Sequence, residues 1–112
     1  MEPYIIKEGD NRQPFTYQIK DFNGAIDLTN CKVDFKMDTS YFKSVINQSA
    51  EIVDVANGLV KYYFNSTETS QAGYFYAGFE VTFPDFRKES FPKSGYLHVQ
   101  INRSLRNAKE QD

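Results

Sequence analysis

The sequence predicts an all-β fold, a small immunoglobulin-like β-sandwich of about eight antiparallel strands. Apolar and polar residues alternate with a period of two in several short segments, which is the pattern of half-buried strands. Turn signals such as Asn23-Gly24 and Asn57-Gly58 separate these segments. The resulting spacing of roughly ten residues is typical of a β-sandwich. A small barrel is the alternative architecture.

Length and composition agree with one β-domain. A chain of 112 residues is large enough to bury a single hydrophobic core. Aromatic residues make up 16% of the chain, with 8 Tyr and 10 Phe, and such residues favour strands. We expect one sandwich domain over residues 1–101. A polar C-terminal tail over residues 102–112 should fray.

In the first half of the chain, Tyr4–Lys7 reads as a short first strand, and Pro14 opens a second one. Asn23-Gly24 supplies the two positive-φ residues that a two-residue hairpin turn requires. Residues 41–46 form a further strand or an irregular edge. The best-patterned strand of this half has inward-facing residues Cys31, Val33, Phe35 and Met37.

In the second half, a hairpin forms around Asn57-Gly58. Residues 66–73 should form one helical turn, capped by Ser or Thr and closed by glycine. The longest strand covers residues 74–83, residues 84–92 form a loop, and the last strand covers residues 96–101. The predicted centre of the core consists of Phe35, Phe75, Phe79, Val81, Val99 and Ile101.

Charge and hydropathy argue against two kinds of partner. The net charge is −2 and the pI is about 5.4, without a basic cluster, so we expect no nucleic-acid binding. The longest apolar runs are far shorter than a membrane span. We therefore expect no membrane insertion either.

The residues that usually carry catalysis are sparse. His98 is the only histidine and falls on the solvent-facing phase of the last strand, without a partner to make it a general base. Cys31 is the only cysteine and falls on the apolar phase of its strand, so we expect a small buried residue. We predict no catalytic, cofactor-binding or metal-binding residues, and no enzyme activity.

The outward phase of the longest strand is the candidate interaction face. Tyr74 and Tyr76 lead to Gly78, which leaves an aromatic shelf beside bare backbone. Such a shelf suits contact with a protein or stacking on a sugar. The structural alternative is that these tyrosines cover a sheet edge or pack under the loop at residues 84–92.

A series of turn and strand signals stands in a definite order along the chain. It runs through Gly9-Asp10, Asp21-Phe22-Asn23-Gly24, Asp27-Leu28-Thr29, Val33 to Met37, Ala50 to Asp54, Asn57 to Tyr62, Thr69 to Gly73, Phe75 to Val81, Phe91-Pro92 and Tyr96 to Ile101. From about Ile5 to Ile101, this series resembles the N-terminal domain of the phage baseplate upper protein family, found in tailed phages of Gram-positive bacteria. Members of that family continue into a long C-terminal region, so an excised domain and a short stand-alone tail component both remain open.

The resemblance implies a non-enzymatic structural protein of the phage tail or baseplate, which mediates assembly or attachment of tail-tip components. Its expected partners are other tail and baseplate proteins, or further copies of itself in a homo-oligomer. It would be made in the cytoplasm of the host bacterium and would reside in the virion. The alternative function is a carbohydrate- or host-receptor-binding module that uses Tyr74, Tyr76 or Tyr63 as stacking platforms.

Overall fold

The computed structural model describes residues 2–105, and this part of the chain is built from short strands without a helix. The strands are β1 (Tyr4–Lys7), β2 (Phe15–Gln18), β3 (Lys20–Asp21), β4 (Gly24–Ala25), β5 (Lys32–Thr39), β6 (Ser44–Ser49), β7 (Glu51–Asp54), β8 (Leu59–Tyr62), β9 (Gly73–Thr82), β10 (Lys88–Phe91) and β11 (Leu97–Asn102). The predicted all-β class is confirmed.

The strands form two main sheets that face each other as a sandwich. The larger sheet has the order β1-β11-β9-β5-β6, with β10 paired to β9 next to β11. The smaller sheet has the order β2-β8-β7, and β3 and β4 make a separate hairpin. The described residues contain eleven strand segments, more than the predicted eight or so. The first and last strands, β1 and β11, lie side by side in parallel, so the expectation of purely antiparallel pairing is wrong for that pair.

Aromatic rings from the two sheets meet in the core. Phe35 of β5 stacks on Tyr62 of β8 with ring centroids 4.5 Å apart, and Phe79 of β9 stacks on Tyr17 of β2 at 5.4 Å. The predicted central residues are buried, except Phe75, which is half-buried near the start of β9. The strand phases that the sequence predicts are therefore confirmed for β5, β9 and β11.

The two predicted turn glycines do have positive φ, 117° at Gly24 and 67° at Gly58. The preceding asparagines do not share it, so the expected pair of positive-φ residues is wrong. Asp21 pairs with Gly24, which makes Phe22 and Asn23 the central residues of the first turn. The Asp21 carboxylate accepts the Asn23 N–H at 2.8 Å, a local bond that favours ordinary turn geometry at that asparagine.

The predicted loop at residues 84–92 contains a strand. Within it, β10 pairs antiparallel with the second half of β9, and Phe91 is buried. The sequence of this strand, Lys-Glu-Ser-Phe, has a single apolar residue. Hydropathy alternation was therefore too weak to predict β10, which is fixed by backbone pairing to its neighbour.

Residues 66–71 form turns and bends instead of the predicted helical turn over residues 66–73. Asn65 and Glu68 bond reciprocally, since each side chain accepts the backbone N–H of the other residue at 2.8–3.0 Å. This is the bonding of a helix capping box, but no helix follows it. The capping residue is Asn65, just before the predicted segment, and not a Ser or Thr within it. Gly73 does not close a helical turn but is the first residue of β9.

The predicted C-terminal tail begins with residues that hold to the body. Asn102 is the last residue of β11, and its carbonyl accepts the Glu8 N–H at 2.8 Å. The Glu8 carboxylate accepts the Ser104 N–H at 3.1 Å. Residues 106–112, which make up most of the predicted tail, lie outside the described residues.

Candidate functional site

The predicted interaction face lies on the outer surface of the larger sheet. Tyr74, Tyr76 and Gly78 alternate with inward-facing residues of β9, and 66% of Tyr74 is exposed. Strand β5 flanks β9 on one side, and β11 and β10 flank it on the other. These tyrosines therefore lie in the middle of a sheet, and the alternative that they cover a sheet edge is wrong.

Aromatic side chains from three parts of the chain gather around Tyr76. Its ring centroid lies 5.4 Å from that of Phe42, 5.1 Å from that of Tyr96 and 5.6 Å from that of His98. More than half of Phe42 (59%) and of Tyr96 (51%) remains exposed. We call Phe42, Tyr74, Tyr76 and Tyr96 the outer aromatic face.

Phe42 reaches this face from the turn between β5 and β6. Its φ is 65°, a left-handed conformation that is rare for a bulky residue. Thr39 stabilises the turn through four hydrogen bonds. Its N–H donates to the Lys43 carbonyl and its carbonyl accepts the Phe42 N–H, both at 2.8 Å. Its hydroxyl accepts the N–H groups of Tyr41 and Lys43. Phe86 has the same conformation in the turn before β10, so the positive φ belongs to this type of hairpin turn. At Phe42 the turn places an exposed ring beside Tyr76.

Beside the outer aromatic face lies a groove of about 220 Å³. Its floor includes Gly78, where a Cβ would lie 2.8 Å from the Phe91 carbonyl oxygen. A side chain at position 78 would therefore collide with the backbone of β10. The glycine is required by this close approach, and the bare backbone expected there is covered in part by Phe91. The loop from Pro92 to Tyr96 forms the far wall.

Charged residues complete the groove. The Lys36 ammonium group lies 3.3 Å from the Glu80 carboxylate, and the Lys88 ammonium group lies 3.9 Å from the same carboxylate. Asp38 lies directly opposite Tyr76 on the neighbouring strand. Among the described residues, its carboxylate has no ion pair or side-chain hydrogen bond. Asp38 thus places a negative charge next to the aromatic rings, with no ion-pair partner within residues 2–105.

The other residues singled out from sequence lie apart from the groove. His98 is exposed, as predicted, and touches Tyr76 at the edge of the face. Tyr63 follows β8 on the smaller sheet, with the Lys61 ammonium 5.2 Å above its ring. The described residues contain no group of three or more His, Cys, Asp or Glu side chains placed to hold a metal ion.

Cys31 was expected to be a small buried residue; it is half-buried and packs against the core. It precedes β5, which begins at Lys32, and its Sγ lies 3.6 Å from the Thr29 carbonyl oxygen. Burial, together with the negative charge of Asp27, raises the pKa of the thiol. These surroundings favour the protonated thiol over the nucleophilic thiolate.

The sequence did not single out Phe42, Tyr96 or Asp38 for this site. Phe42 was expected in a strand or irregular edge over residues 41–46, but it lies in the turn before β6, which begins at Ser44. Tyr96 was expected as the first residue of the last strand, but it lies just before β11, which begins at Leu97. Asp38 reads as an ordinary turn-forming residue in the sequence. The pairing of β5 with β9 brings Asp38 and Phe42 to Tyr76 from about 40 positions away. The pairing of β11 with β9 brings Tyr96 to the same surface.

Comparison with known families adds an independent observation. Residues 2–103 match the model of the family described as the BppU N-terminal domain. The chain belongs to this family. BppU is the baseplate upper protein, so the match confirms the resemblance seen in the order of turns and strands. A BppU N-terminal domain belongs to the phage baseplate, and this assigns the chain a structural role in the tail or baseplate.

Several solved structures are similar to this chain, among them a phage protein domain and a CopC protein. The N-terminal domain of phage TP901-1 ORF48 superposes with a TM-score of 0.64 at 16% identity, covering 92% of this chain and 85% of the other. CopC from Methylosinus trichosporium OB3b superposes with a TM-score of 0.51 at 11% identity, covering 90% and 84%. At these identities the likeness concerns the fold alone. No curated protein matches the sequence.

Membership in the BppU N-terminal domain family implies interaction with other phage tail proteins and a location in the tail of the virion. It also indicates a structural protein. In the part of the chain that the structure describes, we find no helix long and apolar enough to span a membrane.

Proposed function

We propose that this domain attaches tail-tip components to one another by binding a neighbouring tail or baseplate protein through its outer aromatic face. The observation that carries the proposal is the exposure of Tyr74, Phe42 and Tyr96 together on one sheet surface. Contiguous exposed apolar surface on a small protein marks interaction sites. Aromatic residues are also enriched at protein interfaces.

The sheet beneath this face suits such a role because it is rigid. Tyr74 and Tyr76 project from an interior strand that pairs on both sides along most of its length, and Phe79 on the opposite side of the same strand is fixed in the core. Side chains on such a strand keep their positions before binding. Preorganisation of this kind lowers the entropic cost of association.

We further propose that the domain works by association and not by catalysis. The family is structural, and the conspicuous chemistry of the described surface is aromatic. Self-association into a homo-oligomer would use the same kind of contact, and light scattering of the purified chain over a range of concentrations tests it.

The direct test replaces Tyr74 and Tyr76 together by serine in the phage. Both side chains point outward, so the variant should fold, which circular dichroism of the purified domain would check. We expect the domain to be depleted from assembled tails and infectivity to fall. Tyr63→Ser is the matched control, because it removes a half-exposed tyrosine from the other sheet.

Two results would contradict the proposal. One is normal incorporation of the folded double variant into infectious particles, which would show that the contact lies elsewhere. The other is binding of host cell-wall polysaccharide by the purified domain, detected by saturation-transfer NMR and lost in the same double variant. That result would favour the carbohydrate-binding alternative.

A further inference from the structure

We infer that the groove beside the outer aromatic face receives an arginine side chain of the partner protein. This inference rests on the proposed function, since it names the group that the partner would insert. It is derived from the charge and shape of the groove.

The first argument is the unbalanced charge of Asp38. Glu80 is neutralised by Lys36 and Lys88 at 3.3 and 3.9 Å, whereas the Asp38 carboxylate has no charged or hydrogen-bonding partner among the described side chains. It lines the groove and is partly buried. Covering this end of the groove with an apolar group would leave a carboxylate desolvated and unpaired, which is strongly unfavourable. A cationic occupant removes that cost.

The second argument is the arrangement of rings next to that charge. Phe42, Tyr76 and Tyr96 all line the groove, and their centroids are within 5.1 to 5.9 Å of one another. The faces of aromatic rings carry partial negative charge and attract cations placed within about 6 Å of the centroid. Carboxylate and rings therefore favour the same sign of ligand.

The shape and chemistry of the groove favour a guanidinium group over an ammonium group. Guanidinium is planar, stacks on aromatic rings and bonds a carboxylate through two parallel N–H groups. It is also more weakly hydrated than an ammonium group and is easier to bury. Gly78 carries no side chain on this face, so its backbone and the adjacent Phe91 carbonyl form a flat floor along which the planar group can lie.

The test is an NMR titration of the isotope-labelled 112-residue chain with Nα-acetyl-arginine amide. We expect saturable shifts of the Gly78 and Gly95 amide signals, with affinity that weakens as salt is added. The neutral citrulline analogue has nearly the same shape and should bind about tenfold more weakly, since a hydrogen bond to a carboxylate is stronger when its donor is charged. The lysine analogue should also bind more weakly than arginine.

Matched variants locate the site. Asp38→Asn should weaken arginine binding by about tenfold. Asp34→Asn should not change the arginine affinity. Asp34 projects from the same face of the same strand, but it does not line the groove, and its carboxylate lies 3.9 Å from the Lys32 ammonium group. Tyr96→Ala should weaken binding as well. Tyr63→Ala is its control on the other sheet.

Three results would overturn the inference: no saturable shift with the arginine probe, equal affinity for arginine and citrulline, or tighter binding of lysine. Unchanged affinity in Asp38→Asn would overturn it too. None of these measurements involves the virion, so a negative result leaves the proposed attachment face standing. Conversely, normal tails from the Tyr74 and Tyr76 double variant would reject the attachment face even if the groove binds arginine.

Discussion

The backbone of Gly78 lies against that of Phe91, so closely that a Cβ on the glycine would lie 2.8 Å from the phenylalanine carbonyl oxygen. This contact joins the outward side of β9 to the end of β10 and forms part of the groove floor. The φ of Gly78 lies outside the left-handed range. Glycine is therefore required at position 78 because a side chain would not fit, and not because of the backbone conformation.

Gly78→Ala should therefore destabilise the domain and displace β10. Inserting a methyl group into a closely packed site costs about 1–3 kcal/mol, and the obstructing atom is backbone, which cannot rotate away. Thermal unfolding of Thr82→Ala, on the same strand and face, is the control. An unchanged melting temperature for Gly78→Ala would show that β10 is not held against β9 as described.

Gly24 and Gly58 should respond differently to alanine, although both have positive φ. At Gly24 an added Cβ meets nothing within 4 Å, so the cost is the backbone strain alone, about 1–3 kcal/mol. At Gly58 it would lie 2.5 Å from the Ile19 carbonyl oxygen and 2.9 Å from that of Ile26. Gly58→Ala should be clearly the more destabilising in chemical denaturation. Equal losses would contradict the packing of this turn.

Two phenylalanines test the division between core and surface. Phe79 is 1% exposed between the sheets, and Phe22 is 98% exposed at a hairpin tip. Truncating a buried phenylalanine leaves a cavity, so Phe79→Ala should lower the free energy of unfolding by about 3–5 kcal/mol. Phe22→Ala should change it by less than about 0.5 kcal/mol. Similar losses in the two variants would reject the assigned strand phase.

The Tyr62 hydroxyl donates a hydrogen bond to the Glu68 carboxylate at 2.7 Å. Burial, this hydrogen bond and the Glu68 charge, in that order, raise the pKa of Tyr62. The unfolded chain therefore releases this proton first, near the ordinary tyrosine pKa of about 10. Stability should be complete below that pH and decline as the pH rises above it.

Tyr62→Phe should make this alkaline decline shallower, although Tyr4 and Tyr17, whose pKa values are also raised, will leave some of it. Denaturant unfolding at a series of alkaline pH values measures the slope. Identical slopes in Tyr62→Phe and the unsubstituted chain would contradict the assignment.

The strands with regular alternation were predictable from sequence because one of their faces is buried. In β9, Ala77, Phe79 and Val81 point inward and their neighbours point outward, and β11 follows the same pattern. Strand β10 was missed because its order comes from backbone pairing, which leaves little trace in hydropathy. The positive φ predicted for Asn23 was wrong, because the Asp21 carboxylate accepts the Asn23 N–H. A turn motif does not reveal this local interaction.

The site was predictable only along a single strand. Alternation placed Tyr74 and Tyr76 on the outward face, as the structure has them. Phe42 and Tyr96 join them through strand pairing and a positive-φ turn. Such contacts between distant segments depend on the registers of β5 and β11 against β9, and hydropathy does not fix which turn residue lies beside which strand residue.

The central claim is that the outer aromatic face binds another tail protein, and site-specific photocrosslinking in assembled virions tests it most directly. A photoreactive amino acid would replace Tyr74, and mass spectrometry would identify the crosslinked chain. The same amino acid in place of Tyr63, on the other sheet, is the control. We expect position 74 to crosslink to a tail or baseplate protein and position 63 to give little or no product. Crosslinks from position 63 alone would contradict the claim.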